Sequence, residues 1–436
     1  MTTTPPPQPS DAAVAAVFRE EAGRLTATLV RMLGDFESAE ELVQEALLVA
    51  LERWRRDGIP SQPRAWLATT ARRLAIDQWR RRARYAEKLA EVAAEPLVEA
   101  TSEADDRLRL IFTCCHPALA REAQLALTLR AVAGLTTAEV ARAFLLPEAT
   151  VAQRIVRAKR KIVTAGIPYR VPSGPELSGR LDEVLAVLYL MFNEGYLATE
   201  GASERRDLAA DAEWLTALLV ELLPNEPEAL GLLALMRLHQ ARAGGRFGTD
   251  RQLIVLAEQD RALWDRVAIA AGAGLVVEAL EMRRPGPYQL QAAIAACHAE
   301  APSWEETDWD QIALLYEKLV ELAPSPVLRL NRAIALSHVL GPQEALRELD
   351  ALASSLDRYH LFHASRAEML RQLERAPEAR LADERALELT RNPAERTLLS
   401  ARLFQTAPVD YEATSLTSPP GATQSSLRRS QRRRRT

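Results

Sequence analysis

Apolar residues recur along this chain at spacings of three and four, the spacing that gathers them on one face of a helix. In residues 38–54 the face is Leu42, Val43, Ala46, Ala50 and Trp54. Ser38 followed by Glu41 has the spacing of a capping box, in which hydroxyl and carboxylate satisfy open amides at a helix start. Gly58 and Pro60 then mark a loop, and Pro63 suits the first turn of a new helix over residues 64–84. Its apolar positions are Trp66, Leu67, Leu74, Ile76 and Trp79. Further on, Thr136 or Thr137 caps a short helix carrying Ala138, Val140, Ala141 and Phe144. Leu145-Leu146-Pro147 makes a turn, and Pro147 opens another helix in which Val151, Ile155, Ala158 and Ile162 face the core. Two short helices joined in this way predict a helix-turn-helix.

From residue 180 to 405 the helical pattern is continuous, and it repeats. Leu-Val-Glu-Leu-Leu-Pro at 219–224 returns as Leu-Val-Glu-Leu-Ala-Pro at 319–324. At an offset of 34, Asn331-Arg332-Ala333 matches Ser365-Arg366-Ala367, Glu344-Ala345 matches Glu378-Ala379, and Leu322 maps to Leu356. A helix–turn–helix unit of that length is the tetratricopeptide (TPR) signature, and stacked units leave a concave groove. An irregular helical bundle is the plainer alternative.

Composition supports a helical chain. Alanine (75) and leucine (66) dominate the 436 residues and glycine is scarce at 18, which argues for an all-α protein and against a sandwich, barrel or parallel-sheet enzyme. The expected order is a disordered leader at 1–12, a helical domain at 13–84 and a polar linker at 85–104. A helix-turn-helix domain follows at 105–165, then a linker at 166–179, a helical-repeat extension at 180–405 and a disordered basic tail at 406–436. No run of about 18 apolar residues predicts a membrane span. The Thr/Pro-rich start is no secretory signal, and three cysteines make no disulfide framework, so a cytoplasmic home is expected.

Charge separates the parts. Residues 1–170 carry a net +4, the tail from 406 another +4, and residues 171–405 a net −12. Between Asp35 and Glu52 stand six acids and no base, among them Glu37, Glu40, Glu41 and Glu45. That is an acidic helix face, either plainly solvated or a docking surface. Arg72, Arg73, Arg80, Arg81, Arg82 and Arg84 against Asp77 make the next helix strongly basic, with Trp66 and Trp79 as aromatic neighbours. Such a helix is either a cationic surface or a binder of phosphates and unpaired bases. On the helix opened by Pro147, Thr150, Gln153, Arg157 and Arg160 lie opposite Ile155, with Arg154 flanking, and residues 154–161 hold five bases, including Lys159 and Lys161, and no acid. Short polar residues near the N-terminus and bases behind them suit base edges and phosphates, so DNA binding is favoured over a bare helical hairpin.

The stretches SAEELVQEALLVALERW, PRAWLATTARRLAIDQWRRR and GLTTAEVARAFLLPEATVAQRIVRAKRKI together resemble the extracytoplasmic-function (ECF) group of sigma-70 factors over about residues 15–165. Leu188–Tyr196, LYLMFNEGY, and the repeats beyond it look like the subgroup with a long C-terminal helical extension. The resemblance implies an RNA polymerase sigma factor whose partners are promoter DNA and the β and β′ subunits of core polymerase. It implies that Asp35, Glu40, Glu41, Gln44 and Glu45 bind the β′ clamp helices. Arg55, Arg56, Trp66, Arg72, Arg73, Asp77, Trp79, Arg80 and Arg81 would recognise and open the minus-ten element. Thr150, Gln153, Arg154, Arg157, Lys159, Arg160 and Lys161 would read the minus-thirty-five element. Leu145 stands where many members have a glycine ending the first helix of the motif, so the turn is expected to differ.

Other constellations are read conservatively. Cys114-Cys115-His116 lacks the spacing of a zinc site and reads as buried thiols. Asn193-Glu194-Gly195 reads as a helix C-cap turn, and the arginines at 428–435 as a solvated tail or a non-specific grip on nucleic acid. Neither a catalytic set nor a cofactor or metal site is expected. The acidic extension is expected to regulate in cis, by covering the basic surfaces or as a required part of the active complex, and its groove is a possible seat for a protein or peptide. The alternative function is a TPR-type regulator with a helix-turn-helix head that does not replace sigma.

Overall fold

A computed structural model describes residues 11–83, 103–144, 146–196, 203–248, 253–390 and 393–405. The leader, most of the 85–104 stretch, Leu145 and the arginine tail lie outside the described residues. Among those described, the regular structure is helical apart from one isolated bridge between Phe247 and Leu253.

The first unit holds α1 (Asp11–Leu33), α2 (Phe36–Asp57) and α3 (Pro63–Ala83). The cap of α2 differs from expectation. Asp35 is the N-cap, and its carboxylate accepts from the amides of Glu37 and Ser38, so Ser38 falls inside the first turn and is buried. An ionised Asp at a helix start also meets the positive end of the macrodipole. The helix stops at Gly58, whose φ of 84° suits only glycine well and whose amide bonds to the Trp54 carbonyl. Leu42, Val43, Ala46, Ala50 and Trp54 are buried as their spacing required. On α3 the core face is Leu67, Ala71 and Ala75, with Trp66 and Leu74 half-buried, whereas Ile76 is exposed. One residue beyond the buried Ala75, it has turned out of the core.

The second unit holds α4 (Glu103–Cys114), α5 (Arg121–Ala131), α6 (Thr137–Ala143) and α7 (Glu148–Thr164). Of the two threonines expected to cap α6, Thr136 does so, and in a capping box. Thr136 Oγ1 accepts from the Glu139 amide at 3.2 Å, and Glu139 Oε2 accepts from the Thr136 amide at 2.6 Å. Pro147 is the N-cap of α7 rather than its first residue, and the buried set is Val151, Ile155, Ala158 and Ile162. Cys114 and Cys115 are buried thiols; the Cys115 thiol, 3.5 Å from Thr128 Oγ1, is pushed up to about 11 by burial.

The extension runs from α8 (Pro175–Tyr196), α9 (Ser203–Leu222) and α10 (Pro227–Ala241) through α11 (Arg266–Glu281), α12 (Pro287–Glu300) and α13 (Trp309–Leu322). It ends in α14 (Pro326–Leu340), α15 (Pro342–Leu356), α16 (His360–Gln372), α17 (Ala376–Leu389) and α18 (Pro393–Gln405). α14 and α16 begin at Pro326 and His360, α15 and α17 at Pro342 and Ala376, so both pairs keep the offset of 34. The repeated alanines are the reason it shows in sequence. Ala333, Ala367, Ala345 and Ala379 are all buried where neighbouring helices cross, and small side chains let backbones approach. Asn193-Glu194-Gly195 is not a cap turn. It lies in the last turn of α8, and Gly195 is buried there.

The apolar core does not respect the three parts. One continuous cluster runs from Leu25 through α2, α4, α5, α7 and α8 to Met236 on α10, and smaller clusters serve the later helix pairs.

Candidate polymerase and nucleic-acid interfaces

With Phe36, Leu42, Val43 and Ala46 buried, α2 turns Glu41, Gln44 and Glu45 outward. Leu48 shares that side, one turn on, and is 61% exposed. A large apolar side chain between the exposed carboxylates of Glu45 and Glu52 has the make-up of an anchor for a basic partner. Sequence reasoning missed Leu48, although its place three and four residues beyond Glu45 and Gln44 was legible. Asp35 is spent on capping.

On α3, Arg72, Arg73 and Asp77 are exposed. Trp66 is not a free stacking platform. It packs edge-on against the buried Trp54, ring centroids 5.6 Å apart, and so serves the core. Arg56 is exposed and held by Asp57 at 2.8 Å, and Arg55 beside it is also exposed. The side chains of Trp79, Arg80 and Arg81 lie outside the described residues.

Burial of Val151, Ile155, Ala158 and Ile162 leaves α7 a stripe of Gln153, Val156, Arg157, Arg160 and Val163, all exposed, with Lys161 beside it. Thr150 and Arg154 are half-buried at its edge. Arginine and glutamine offer donors for base edges and phosphates, and an open valine suits a thymine methyl.

Lys159 departs from that stripe. It follows Ile155 by four residues, which brings it to the edge of the core face. Its Nζ donates to Glu40 Oε2 on α2 at 2.7 Å, with side-chain exposures of 18% and 15%. A residue expected at DNA and one expected at polymerase thus neutralise each other. The other Glu40 oxygen, Oε1, is buried with no hydrogen-bond partner. A half-satisfied buried pair holds two units in register while adding little net stability.

More contacts cement the two units. Arg31 Nε on α1 donates to Asp106 Oδ2 on α4 at 2.9 Å. The Tyr169 hydroxyl sits within reach of the carbonyls of Ala27 (2.9 Å) and Asp106 (3.1 Å), and its ring meets Phe36 edge-on. Burial pushes its phenol well above the usual range. Gly23 is required at this seam, since a Cβ there would stand 2.2 Å from the Val132 carbonyl oxygen. Tyr169 is hard to find in sequence because Pro and Gly residues around it read as linker. Gly23 carried a signal, being a glycine inside a helical pattern.

The extension grips the second unit from behind. Arg121 on α5 pairs with Glu183 on α8 at 2.9 Å, and the Arg180 guanidinium donates to the Phe112 carbonyl. Arg107 on α4 lies over the Trp214 ring of α9 at 5.0 Å, and burial lowers its pKa to about 10. The exposed Arg157, Arg160 and Lys161 show that the acidic extension does not cover the basic face of α7.

Comparison with known proteins follows this division. Residues 17–85 match the family described as Sigma-70 region 2, residues 109–162 match Sigma-70, region 4, and residues 180–280 match a family of unknown function, DUF6596. The "ECF RNA polymerase sigma factor SigL" of Mycobacterium tuberculosis is 31% identical over 151 residues, 34% of this chain and 85% of that protein. A Rhizobium meliloti protein, "Uncharacterized protein R00370", is 43% identical over 386 residues, 86% of this chain and 91% of that one. Among solved structures, yeast Tom70 superposes with a TM-score of 0.35 at 13% identity, covering 90% of this chain and 86% of that one, and the helix pairing described above rests on this chain's own contacts. Among the described residues no helix is long and apolar enough to cross a membrane.

Proposed function

This chain belongs to the extracytoplasmic-function RNA polymerase sigma factors, and from that premise we propose how its faces divide the work and that its closed arrangement is a resting form. As a sigma factor it binds core RNA polymerase and promoter DNA and directs initiation, a role carried by binding and not by catalysis. Glu41, Gln44 and Glu45, with Leu48, are the docking face for the β′ subunit. Arg72 and Arg73 with the following arginines serve the minus-ten element, and Gln153, Arg154, Arg157 and Arg160 the minus-thirty-five element. The rest of region 4 is the natural contact for the β subunit.

The observation that carries the resting form is the Glu40–Lys159 pair. While it stands, α7 is fixed against the polymerase-docking helix, and two DNA-reading units tied side by side cannot span two separated promoter elements. A partner surface that offers α2 several cationic and apolar contacts displaces a single lysine, and the unpaired Glu40 Oε1 makes the exchange cheap. The extension acts in cis by holding region 4 through Arg107, Arg121 and Phe112, and not by screening α7.

The test is in-vitro transcription with core polymerase on candidate upstream regions, alongside distance measurements between dyes on α2 and α7. Core polymerase should start promoter-specific transcripts and drive the dyes apart. Arg157→Ala should weaken promoter binding by about 1–3 kcal/mol and spare polymerase binding. Reversal of Glu41 and Glu45 to lysine should do the opposite. An unchanged dye distance in an actively transcribing complex would remove the resting form, and absence of any promoter-specific transcript would remove the assignment of the faces.

A further inference from the structure

A small cavity opens where the end of α12, the 301–308 loop, α13 and α14 meet, far in sequence from the sigma regions. Trp304, Trp309, Ile312, Tyr316 and Ile334 form its walls, and Asn331 and His298 stand at its edge. The volume is about 150 Å³. A cavity of that size accepts one benzene-sized ring.

The walls are built of aromatic rings held against one another. Trp304 meets Trp309 edge-on at 4.7 Å, and Trp309 stacks on His338 at 3.7 Å with planes 11° apart. His298 lies parallel to Trp304, 10° apart at 6.2 Å. The electrostatics disfavour a cation, and no cationic side chain lines the cavity to grip an anion directly. Arg261, beside the cavity, donates to the carbonyls of His298 (2.7 Å) and Ala301 (2.6 Å). Burial with Arg242 and Arg261 nearby pushes His298 down to about 3, so it is neutral at physiological pH. A cation in the cavity would meet the field of those two arginines. An anion would find no lysine or arginine among the lining residues.

Asn331 and Tyr316 are uncharged hydrogen-bonding side chains among the lining residues, and no side-chain hydrogen bond of either is present among the described residues. An amide offers donor and acceptor together, and a phenol does the same. A concave apolar site with a few open polar groups is the usual form of a small-ligand pocket.

We propose that this cavity binds a neutral aromatic ring bearing one hydrogen-bonding group, of the phenol or indole class, packed on Trp304 and Trp309 and paired with Asn331. The ring can be a free small molecule or a tyrosine or tryptophan side chain of a partner segment.

The full chain is titrated calorimetrically with p-cresol and, separately, with N-acetyl-tyrosinamide. Saturable one-to-one binding of either probe is expected. Asn331→Leu, a change of matching size, should weaken it about tenfold by removing a hydrogen-bond partner. Ile334→Trp should fill the cavity and abolish binding, with circular dichroism confirming the fold of each variant. Tighter binding of the tyrosinamide identifies a partner's side chain as the natural source, and binding of p-cresol alone a free molecule. No saturable binding of either probe, or binding unchanged in Asn331→Leu, overturns the proposal even if Ile334→Trp fails to fold.

Discussion

The front of this molecule and its helical extension are built of the same kind of helix but are tied together in opposite ways. In the front the ties reach far along the chain: Glu40 to Lys159 spans 119 residues, Arg31 to Asp106 spans 75, and Tyr169 to Ala27 spans 142. In the last helices of the extension most are local or between neighbours, whereas its first half also holds longer ties such as Gln289 to Glu228, 61 residues apart. Arg375 pairs with Glu378, Arg380 with Glu384, Arg371 with Asp383 and Arg329 with Glu348. Neighbour-to-neighbour ties add up along a stack, so the last helices of the extension are a spring of nearly independent turns. Long-range ties between whole units are gained or lost together, which is what a protein needs if two of its parts must separate on meeting a partner.

The sharpest way to break this contrast is truncation after Pro168. The front shares its apolar core with α8 to α10, and each large side chain uncovered costs about 1.5–3 kcal/mol. The 1–168 fragment should lose its cooperative thermal transition, while loss of α18 alone should only lower the melting temperature. A fragment melting like the full chain would make the front an independent pair of domains.

A smaller effect is expected at the seam itself. Gly23→Val drives a Cβ into the Val132 carbonyl, and overpacking of this kind costs about 1–3 kcal/mol. Urea unfolding should show the loss. A valine tolerated without change would mean that α1 and α5 separate freely in solution.

Acid should act on the extension. His239 and His298 are held neutral by burial, with folded pKa values below the unfolded one, His298 at about 3. Their contribution to stability is complete above about pH 6.5 and is lost as pH falls toward the folded values. The urea midpoint should therefore fall between about pH 6.5 and 4. A flat profile would place both rings in contact with water.

The smallest effect is Arg375→Gln. It removes an exposed i,i+3 pair with Glu378, and no change in melting temperature is expected. A measurable drop would show that the repeats depend on surface charge more than on their buried alanines.

Much of this arrangement was legible in advance. The buried faces of α2 and α7 followed from spacing, and the 34-residue offset marked the last two helix pairs. What departed from expectation had two causes. Ser38 for Asp35 as cap, Ile76 as a core residue and Gly195 as a cap turn are local choices between near-equal options. Trp66 and Lys159 are of another kind. Each sits at the margin of a helix face and has a side chain long enough to turn either way.

Alone, the sequence determined that the chain is helical, where its helices turn, which stripe of each is apolar, and that an acidic and a basic surface stand in the front units. Only the tertiary structure decided that the acidic helix and the basic helix meet through Glu40 and Lys159, that Tyr169 bolts a supposed linker to both units, and that Trp304, Trp309, Tyr316 and Asn331 surround one cavity. The reason is physical. Periodicity reports that a face must be covered, because water is costly against it, but any apolar face of suitable shape can cover it. The choice among them is made by a few polar contacts and tight glycines whose partners lie tens to hundreds of residues away.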